Sequence, residues 1–379
     1  MVEELLIEQT KTILFEKLLK LVEDNTEKIW HWMFFTYSPN LTITAIEKNQ
    51  NLIEDWDCEW DWGQISCHEN ITLKIIEKYP NKPWSWKNIS YNPNITIEFI
   101  EKYPTKPWDW RKISKNRSIT MEFIEKFIDK DWDWRNLSYN PNLTMEFVEK
   151  YIDKDWHWYD FGISYHPKLT MNMINKYPNK DWTWYTISYN PNITMDDIQK
   201  NINKPWDWEQ ISNNPNITME FIEKYPDKPW DWKYISNNPN ITMDIIEKYP
   251  DKPWDWEEIS SNKNITMDII EKYPDKPWSW KNISYNPNIT MEFVEKYIDK
   301  DWDWNEGISR NPNLTIGMLY KYPDKDWNTV SICQNDFKID YENELNKLQN
   351  FKNIEEELIQ KTWHPSRFEE WCLPIEETV

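Results

Sequence analysis

Four glycines, Gly63, Gly162, Gly307 and Gly317, are all that 379 residues contain. A tandem β architecture needs a positive-φ residue in nearly every tight turn, so this scarcity excludes it. Cys58, Cys67, Cys333 and Cys372 make up the whole thiol complement and form neither a CxxC pair nor a regular framework. A disulfide-stapled scaffold is therefore excluded, and a reducing compartment fits. No apolar run approaches the ~18 residues of a membrane helix, and the start Met1-Val-Glu-Glu lacks a basic n-region and a small-residue cleavage site. The expectation is a protein that is neither secreted nor inserted in a membrane. Basic residues are also short, 44 Lys and Arg against 65 Asp and Glu, for a net charge of −21. That field repels phosphate backbones and makes nucleic acid a disfavoured partner. Gly-rich phosphate loops, Gly-x-Ser-x-Gly and His-Glu-x-x-His are missing too, so neither catalysis nor a cofactor is expected.

What the chain has in abundance is tryptophan, 28 residues, with 20 tyrosines. A disordered acidic chain would be aromatic-poor, so these rings belong to a folded core. They recur. The stretch Asp251-Lys-Pro-Trp-Asp-Trp-Glu-Glu-Ile-Ser260 returns about every 24 residues, with the first Trp of the pair at Trp30, Trp60, Trp84, Trp108, Trp132, Trp156, Trp182, Trp206, Trp230, Trp254, Trp278 and Trp302, and a degenerate copy at Trp327. Such a period marks a repeat array, one elongated unit whose core grows with its length.

Each copy reads as two short helices. In the second, Thr242 is an N-cap, an acidic residue follows, and Ile241, Ile245, Ile246 and Tyr249 share a face before Pro250 stops the helix. In the first, Pro253 stands at the helix start, and Asn-Pro makes the turn out in most copies. Helical geometry would turn Trp254 and Trp256 about 200° apart, sending one ring into its own helix pair and the other against a neighbouring repeat. The Asn-x-Thr triplets, such as Asn94-Ile-Thr96 and Asn240-Ile-Thr242, are read as turn and capping residues rather than glycan acceptors. A single copy has too little core to fold alone, so stacking supplies the stability.

The fold class is all-α: an α-solenoid of about twelve 24-residue helix-turn-helix repeats with helical caps. Residues 1–29 form the N-terminal cap, with Leu14, Leu18, Leu19 and Val22 on an amphipathic helix, residues 30–333 the tandem repeats, and residues 334–379 a C-terminal cap and tail. Two copies are lengthened between the second Trp and the Ile-Ser pair, Trp158 to Ile163 and Trp304 to Ile308.

The repeat Trp-Asp-Trp…Ile-Ser-x-Asn-Pro-Asn-Ile-Thr…Ile-Glu-Lys-Tyr-Pro-Asp-Lys-Pro resembles the tandem Trp- and Asn-Pro-rich repeat proteins of amoeba-infecting giant DNA viruses, the mimivirus-like group. The tail Trp363-His-Pro-Ser-Arg-Phe…Trp371-Cys-Leu is similar to a C-terminal element of large nucleocytoplasmic DNA viruses. The resemblance implies a viral repeat protein made in an infected cell, located in the host cytoplasm (viral factory) or the virion. It brings no established reaction.

Candidate chemistry is sparse. Cys58, Cys67 and His68, with His31 upstream, match no zinc module and are read as free thiols and surface imidazoles. The Asp residues flanking the first Trp, as in Asp131-Trp-Asp133, could bind Ca²⁺ in rows, but helix N-terminal charge is the favoured reading. The copies also report on one another: framework positions recur while the pair after the second Trp wanders. Those pairs are Lys87-Asn88, Arg111-Lys112, Arg135-Asn136, Glu209-Gln210, Lys233-Tyr234, Glu257-Glu258 and Lys281-Asn282. Either they line one recognition face, or they drift freely in solvent. The expected function is a non-enzymatic protein–protein interaction scaffold with a viral or host protein partner. A structural, self-associating component of the virion or viral factory is the alternative.

Overall fold

The computed structural model describes residues 2–24, 32–49 and 60–362, where helices and turns alternate and no strand occurs. The α-solenoid is present as expected. In the eighth repeat the first helix is Trp208–Ser212 and the second Met219–Lys224. Thr218 caps the second helix by accepting from the Phe221 N–H at 3.3 Å, which supplies one of the donors that a helix start leaves open. The first helix begins later than its proline pattern predicts. Asp207 is the N-cap, accepting from the Gln210 N–H at 3.0 Å, so the leading Trp of the pair lies ahead of the helix and only the second belongs to it. A carboxylate satisfies the first-turn donors better than a proline avoids them, which makes the Asp after the leading Trp a capping residue, while Asp131 ahead of it faces Arg111.

Neighbouring repeats are joined by side chains that act as backbone. Asn214 sends its Nδ2 to the carbonyls of Ser188, Asn190 and Ile193 in the preceding repeat at 3.0, 3.2 and 3.1 Å, while its Oδ1 accepts from the Asn216 N–H at 2.9 Å. Asn216 adds bonds to the carbonyls of Pro191 and Ile193. Ser212 completes the junction: its hydroxyl donates to the Trp208 carbonyl and accepts from the Asp231 N–H of the next repeat at 2.9 Å. All three polar types recur along the array, and the first Asn and the Ser are buried throughout. Their burial is tolerated because every donor and acceptor is matched.

Tryptophan fixes the angle at which repeats meet. The second Trp of each repeat takes the edge of the next repeat's first Trp, as in Trp232 with Trp254 (5.2 Å between centroids, 90°) and Trp184 with Trp206 (5.0 Å, 87°). A lysine from the same connecting segment covers its face, Lys252 over Trp232 at 5.7 Å and Lys228 over Trp208 at 4.5 Å. The first Trp is anchored in turn, its Nε1 donating to a carbonyl five residues back, Trp254 to Tyr249 at 2.8 Å. The second Trp thus packs on the second helix of its own repeat, as Trp208 stacks on Phe221 at 6.4 Å, and the first Trp against the neighbouring repeat, the division expected, although by a route other than a shared helix.

The ends meet. Counting Trp327, the array has thirteen repeats, and the first helix of the thirteenth, Thr329–Cys333, packs beside the 3₁₀ turn Trp32–Tyr37 of the first repeat as adjacent first helices do elsewhere. Asn40 Nδ2 donates to the Asp336 carbonyl at 3.2 Å, the same rung that Asn216 makes to Pro191, so the thirteenth repeat occupies the place of a repeat preceding the first. The N-terminal helix Val2–Asp24 packs against the second helix of repeat one and against the C-terminal helix Lys338–Thr362, with Lys17 Nζ 2.8 Å from Glu344 Oε1. What the sequence presents as an elongated array with separate caps is a closed ring. Helix Lys338–Thr362 stands where the thirteenth second helix would, so repeat geometry runs past residue 333. Adjacent first helices approach one another more closely than adjacent second helices do, as the shorter inside arc of a ring requires, which makes the first helices the inner wall. At ~10 Å per repeat the opening is on the order of 20 Å, wide enough for one ~10–12 Å helix. Leading Trp30, the 50–59 insertion with Cys58, and the tail from 363 lie outside the described residues.

Two predictions follow from these junctions. A zero-length carbodiimide should link Lys17 to Glu344 within one chain, detectable by peptide mass spectrometry in dilute protein; an open solenoid would hold the two some 100 Å apart on the ~10 Å-per-repeat scale and give no intramolecular link. The second concerns His68 and His166, which replace the first Asn in two junctions. Their Nε2 atoms each lie 3.0 Å from a preceding carbonyl, of Ser38 and Asn140, while Nδ1 accepts from Asn70 and Lys168 N–H groups. Far from being a surface imidazole, His68 is a junction rung, and a neutral ring reproduces the amide's donor and acceptor. Burial lowers both pKa values from the ordinary 6.5, so the unfolded chain binds these protons more readily. Stability is therefore full above about pH 6.5 and falls as pH drops below it. Replacing both (His68→Asn, His166→Asn) should flatten the decline in Tm between about pH 7 and pH 5; an equally steep decline in the variant would refute the assignment.

Candidate recognition surface

The outer wall is uniform. Successive second helices present a Lys to the Glu of the preceding repeat, Lys102 to Glu77 at 2.8 Å, Lys150 to Glu125 at 2.6 Å and Lys296 to Glu271 at 2.6 Å. Exposed pairs of this kind each contribute roughly 0–1 kcal/mol.

The inner wall is where copies differ. Of the variable pairs, Lys87, Arg111, Arg135, Glu209, Lys233, Glu257 and Lys281 are exposed there, basic in repeats three to five and mixed in sign beyond. Their companions behave otherwise. Asn88, Lys112, Asn136, Glu258 and Asn282 are half-buried, Gln210 is buried, and only Tyr234 is exposed. Lys112 donates to Asn88 Oδ1, Asn282 to the Glu257 carbonyl and Asn136 to its own N-cap Asp133, so these second members support junctions and helix starts. The pair splits into one surface residue and one framework residue because the first helix is too short to expose two consecutive positions equally. Even the exposed arginines are partly engaged, Arg135 Nε 2.9 Å from Asp155 and Arg111 Nε 3.5 Å from Asp131.

Sequence reasoning on the pairs alone passes over a set of aromatics. The residue after the Ser (Thr36 in the first copy) of the first helix, unremarkable in any one copy, is tyrosine at Tyr37, Tyr91, Tyr139, Tyr165, Tyr189 and Tyr285. In repeats five to seven these join the lengthened loop Tyr159-Asp160-Phe161 in one patch. Tyr139 contacts His157 through its ring (5.4 Å) and hydroxyl, and His157 meets Tyr159 edge-on at 4.1 Å. Phe161 meets Tyr165 at 5.8 Å, Tyr165 meets Tyr189 at 5.0 Å, and Tyr189 meets Tyr185 at 5.9 Å. Phe161, Tyr185, Tyr139 and Tyr159 remain 58, 49, 46 and 43% exposed, so the contacts organise the rings without covering them. The signal available in the sequence was the extra length: Ile163 lies five residues after Trp158, where Leu137 lies three after Trp134.

Loop geometry holds the patch in place. Asp160 has φ 48°, a left-handed conformation that Asp tolerates better than most residues, and its N–H donates to Thr183 Oγ1 at 2.9 Å. Ile163 N–H donates to the His157 carbonyl at 2.7 Å, drawing Gly162 against that backbone. Burial, followed by Tyr165, Tyr185 and Asp160, pushes the Tyr189 hydroxyl up to about 12. Burial, Tyr159 and Asp160 raise Tyr139 as well. These tyrosines are neutral hydrogen-bonding rings beside a negative charge.

Elsewhere the candidates carry less. Cys67 and Cys333 are free thiols, and burial raises both pKa values, Cys333 to about 12, which leaves them poor nucleophiles. Among the described residues no three His, Cys, Asp or Glu side chains are grouped to hold a metal ion, and no helix is long and apolar enough to cross a membrane. His31 and Cys58 of the proposed cluster, like His364, lie outside the described residues.

A Cβ at Gly162 would sit 2.0 Å from the His157 carbonyl oxygen, a clash with backbone that cannot be relieved by a rotamer. Gly162→Ala should therefore cost about 2–3 kcal/mol and disturb the patch, measured by denaturant unfolding, whereas Asp160→Gly should be neutral or slightly stabilising. Equal stability of Gly162→Ala and parent would show that the loop takes another path. No protein-family model, no curated protein and no solved structure matches this chain.

Proposed function

We propose that the protein is a non-enzymatic interaction scaffold whose inner wall grips a polypeptide segment of a viral or host partner. The observation that carries this reading is the division of labour between the two walls. Junction residues repeat almost unchanged and many outer lysines make the same pair with a Glu of the preceding repeat, while the inner wall varies from copy to copy and exposes Tyr, Phe and Arg. Tyr and Arg are enriched where proteins bind proteins, since each combines large contact area with directional polar groups. An opening on the order of 20 Å suits a single helix or an extended chain.

The alternative, a self-associating structural component, relied on exposed solenoid edges. Ring closure pairs the thirteenth repeat with the first and leaves no free edge of that kind among the described residues. Net charge of −21 further opposes self-association and nucleic acid as partners.

The test is recovery of tagged protein from infected amoebae, the setting implied by the repeat resemblance, at moderate salt. A stoichiometric partner should accompany the parent and an outer-wall variant, Lys126→Glu, and be lost with an inner-wall variant carrying Lys87→Glu, Arg111→Glu and Tyr185→Ala. A partner retained by the inner-wall variant, or recovery of only the protein itself with all three, would sink the proposal.

A further inference from the structure

Among the described residues, the tyrosines of the first helices differ from the second Trp of each pair in having no lysine over their faces, and in repeats five to seven they gather with Phe161 into a patch. From Trp62 to Trp304, every second Trp of a pair has a lysine over its ring, 4.8 Å away for Lys180 over Trp158 and 5.9 Å for Lys204 over Trp184. Second-helix tyrosines have one too, Lys150 over Tyr151 and Lys176 over Tyr177. Placing an ammonium on an aromatic face is thus this chain's habitual way of finishing a ring. Among the described residues, no Lys or Arg nitrogen stands over Tyr139, Tyr159, Phe161, Tyr165, Tyr185 or Tyr189. Arg135, the cation beside Tyr159, is paired with Asp155.

Charge agrees with that vacancy in pattern. Asp160 is exposed at the loop tip, beside Tyr139 and Tyr189, and has no ion-pair partner among the bridges of the described residues. Glu209, in the next repeat along the inner wall, extends the negative potential, and the whole chain carries −21. We propose that the patch is a docking site for a basic, extended polypeptide segment, one Arg or Lys of which seats among the Tyr139, Tyr159, Phe161 and Tyr185 rings with Asp160 as counter-charge. This rests on the inner wall being a recognition surface and names the partner chemistry there. Arginine is the better occupant, since its planar guanidinium stacks on tyrosine while its N–H fork reaches a carboxylate. The long-range field steers a basic segment toward the ring, and the aromatic faces select where it stops.

The experiment uses the full chain and a fluorescein-labelled dodecapeptide of alternating Arg and Gly, read by anisotropy at about 150 mM salt, where diffuse attraction is screened. Glu-Gly and oligoproline dodecapeptides serve as comparisons. Asp160→Asn keeps a residue that accepts positive φ, and Tyr185→Ala removes an exposed ring, so both should melt like the parent. Binding of the Arg peptide in the micromolar range, weakened at least tenfold by either change and less than twofold by Glu247→Gln, an exposed position on the outer helix Met243–Lys248, is the expected result. Equal weakening by Asp160→Asn and Glu247→Gln would reduce the effect to net charge and overturn the site. Binding of the Glu or proline peptide alone, lost in Tyr185→Ala, would keep the inner wall as a recognition surface and overturn its cationic occupant. Failure of all three peptides to bind would overturn both.

Discussion

Most repeats depend on one buried side chain, the first asparagine of the inter-helix turn, whose place His68 and His166 take in two junctions. A short helix ends with carbonyls that have no partner, and a solenoid of five- and six-residue helices consists largely of such ends. The Asn amide gives two N–H donors to carbonyls of the repeat behind and one acceptor to its own turn, as Asn214 does with Ser188, Asn190, Ile193 and Asn216. Removing one such amide would leave several buried carbonyls without donors, each costing about 1–3 kcal/mol. The same requirement explains why histidine is admitted at His68 and His166. Its neutral ring offers a donor and an acceptor on opposite sides, at the cost of a proton-sensitive rung.

If asparagine sets the register, tryptophan sets the angle. Apolar burial of the Ile and Leu rows supplies most of the stabilisation but is indifferent to orientation. Edge-to-face Trp pairs, each worth about 0.5–1.5 kcal/mol beyond burial, are not. Because the same pair recurs at 5.0 to 5.5 Å at successive junctions, each repeat turns by nearly the same amount. Thirteen such steps close a circle at about 28° each, the accumulated rotation from which solenoid curvature arises. Helix Val2–Asp24 then fills the place where the outer wall of the seam would gape, with Phe15 reaching Trp60 at 6.3 Å.

These two constraints divide what the sequence discloses from what it conceals. Period, helix pairs and the Thr N-caps are local properties, so residues such as Thr218 and Thr242 announce them directly. The start of the first helix was harder to place, because Pro253 and Asp255 are both plausible helix starters and only the geometry of the leading Trp decides between them. Ring closure is not local at all: a change of a few degrees per junction would give an open superhelix from the same consensus. The recognition surface lies between these cases. The exposed members of the variable pairs were legible as differences among copies. The tyrosine patch was not, because Tyr139, Tyr165 and Tyr189 belong to separate repeats and only the junction geometry brings them within ring contact.

Where the two lengthened copies place their extra residues shows how such a framework accommodates change. In both, the addition falls between the second Trp and the Ile-Ser pair, and in both a glycine absorbs it against the neighbouring backbone, Gly162 beside His157 and Gly307 beside Ser284 and Asp303. An insertion in the Asn turn would break the rungs to the repeat behind, and one in the connecting segment would shift the next Trp off its partner. Only the first turn of the inner helix lies outside both constraints, since the Ser164 and Ser309 hydroxyls still reach the next N-cap N–H at 3.0 Å despite the added length. The junctions thereby confine variation to the inner wall. A binding surface built there can change shape and charge without altering register, angle or closure, and the loop at Tyr159-Asp160-Phe161 is the place where this protein has used that freedom most.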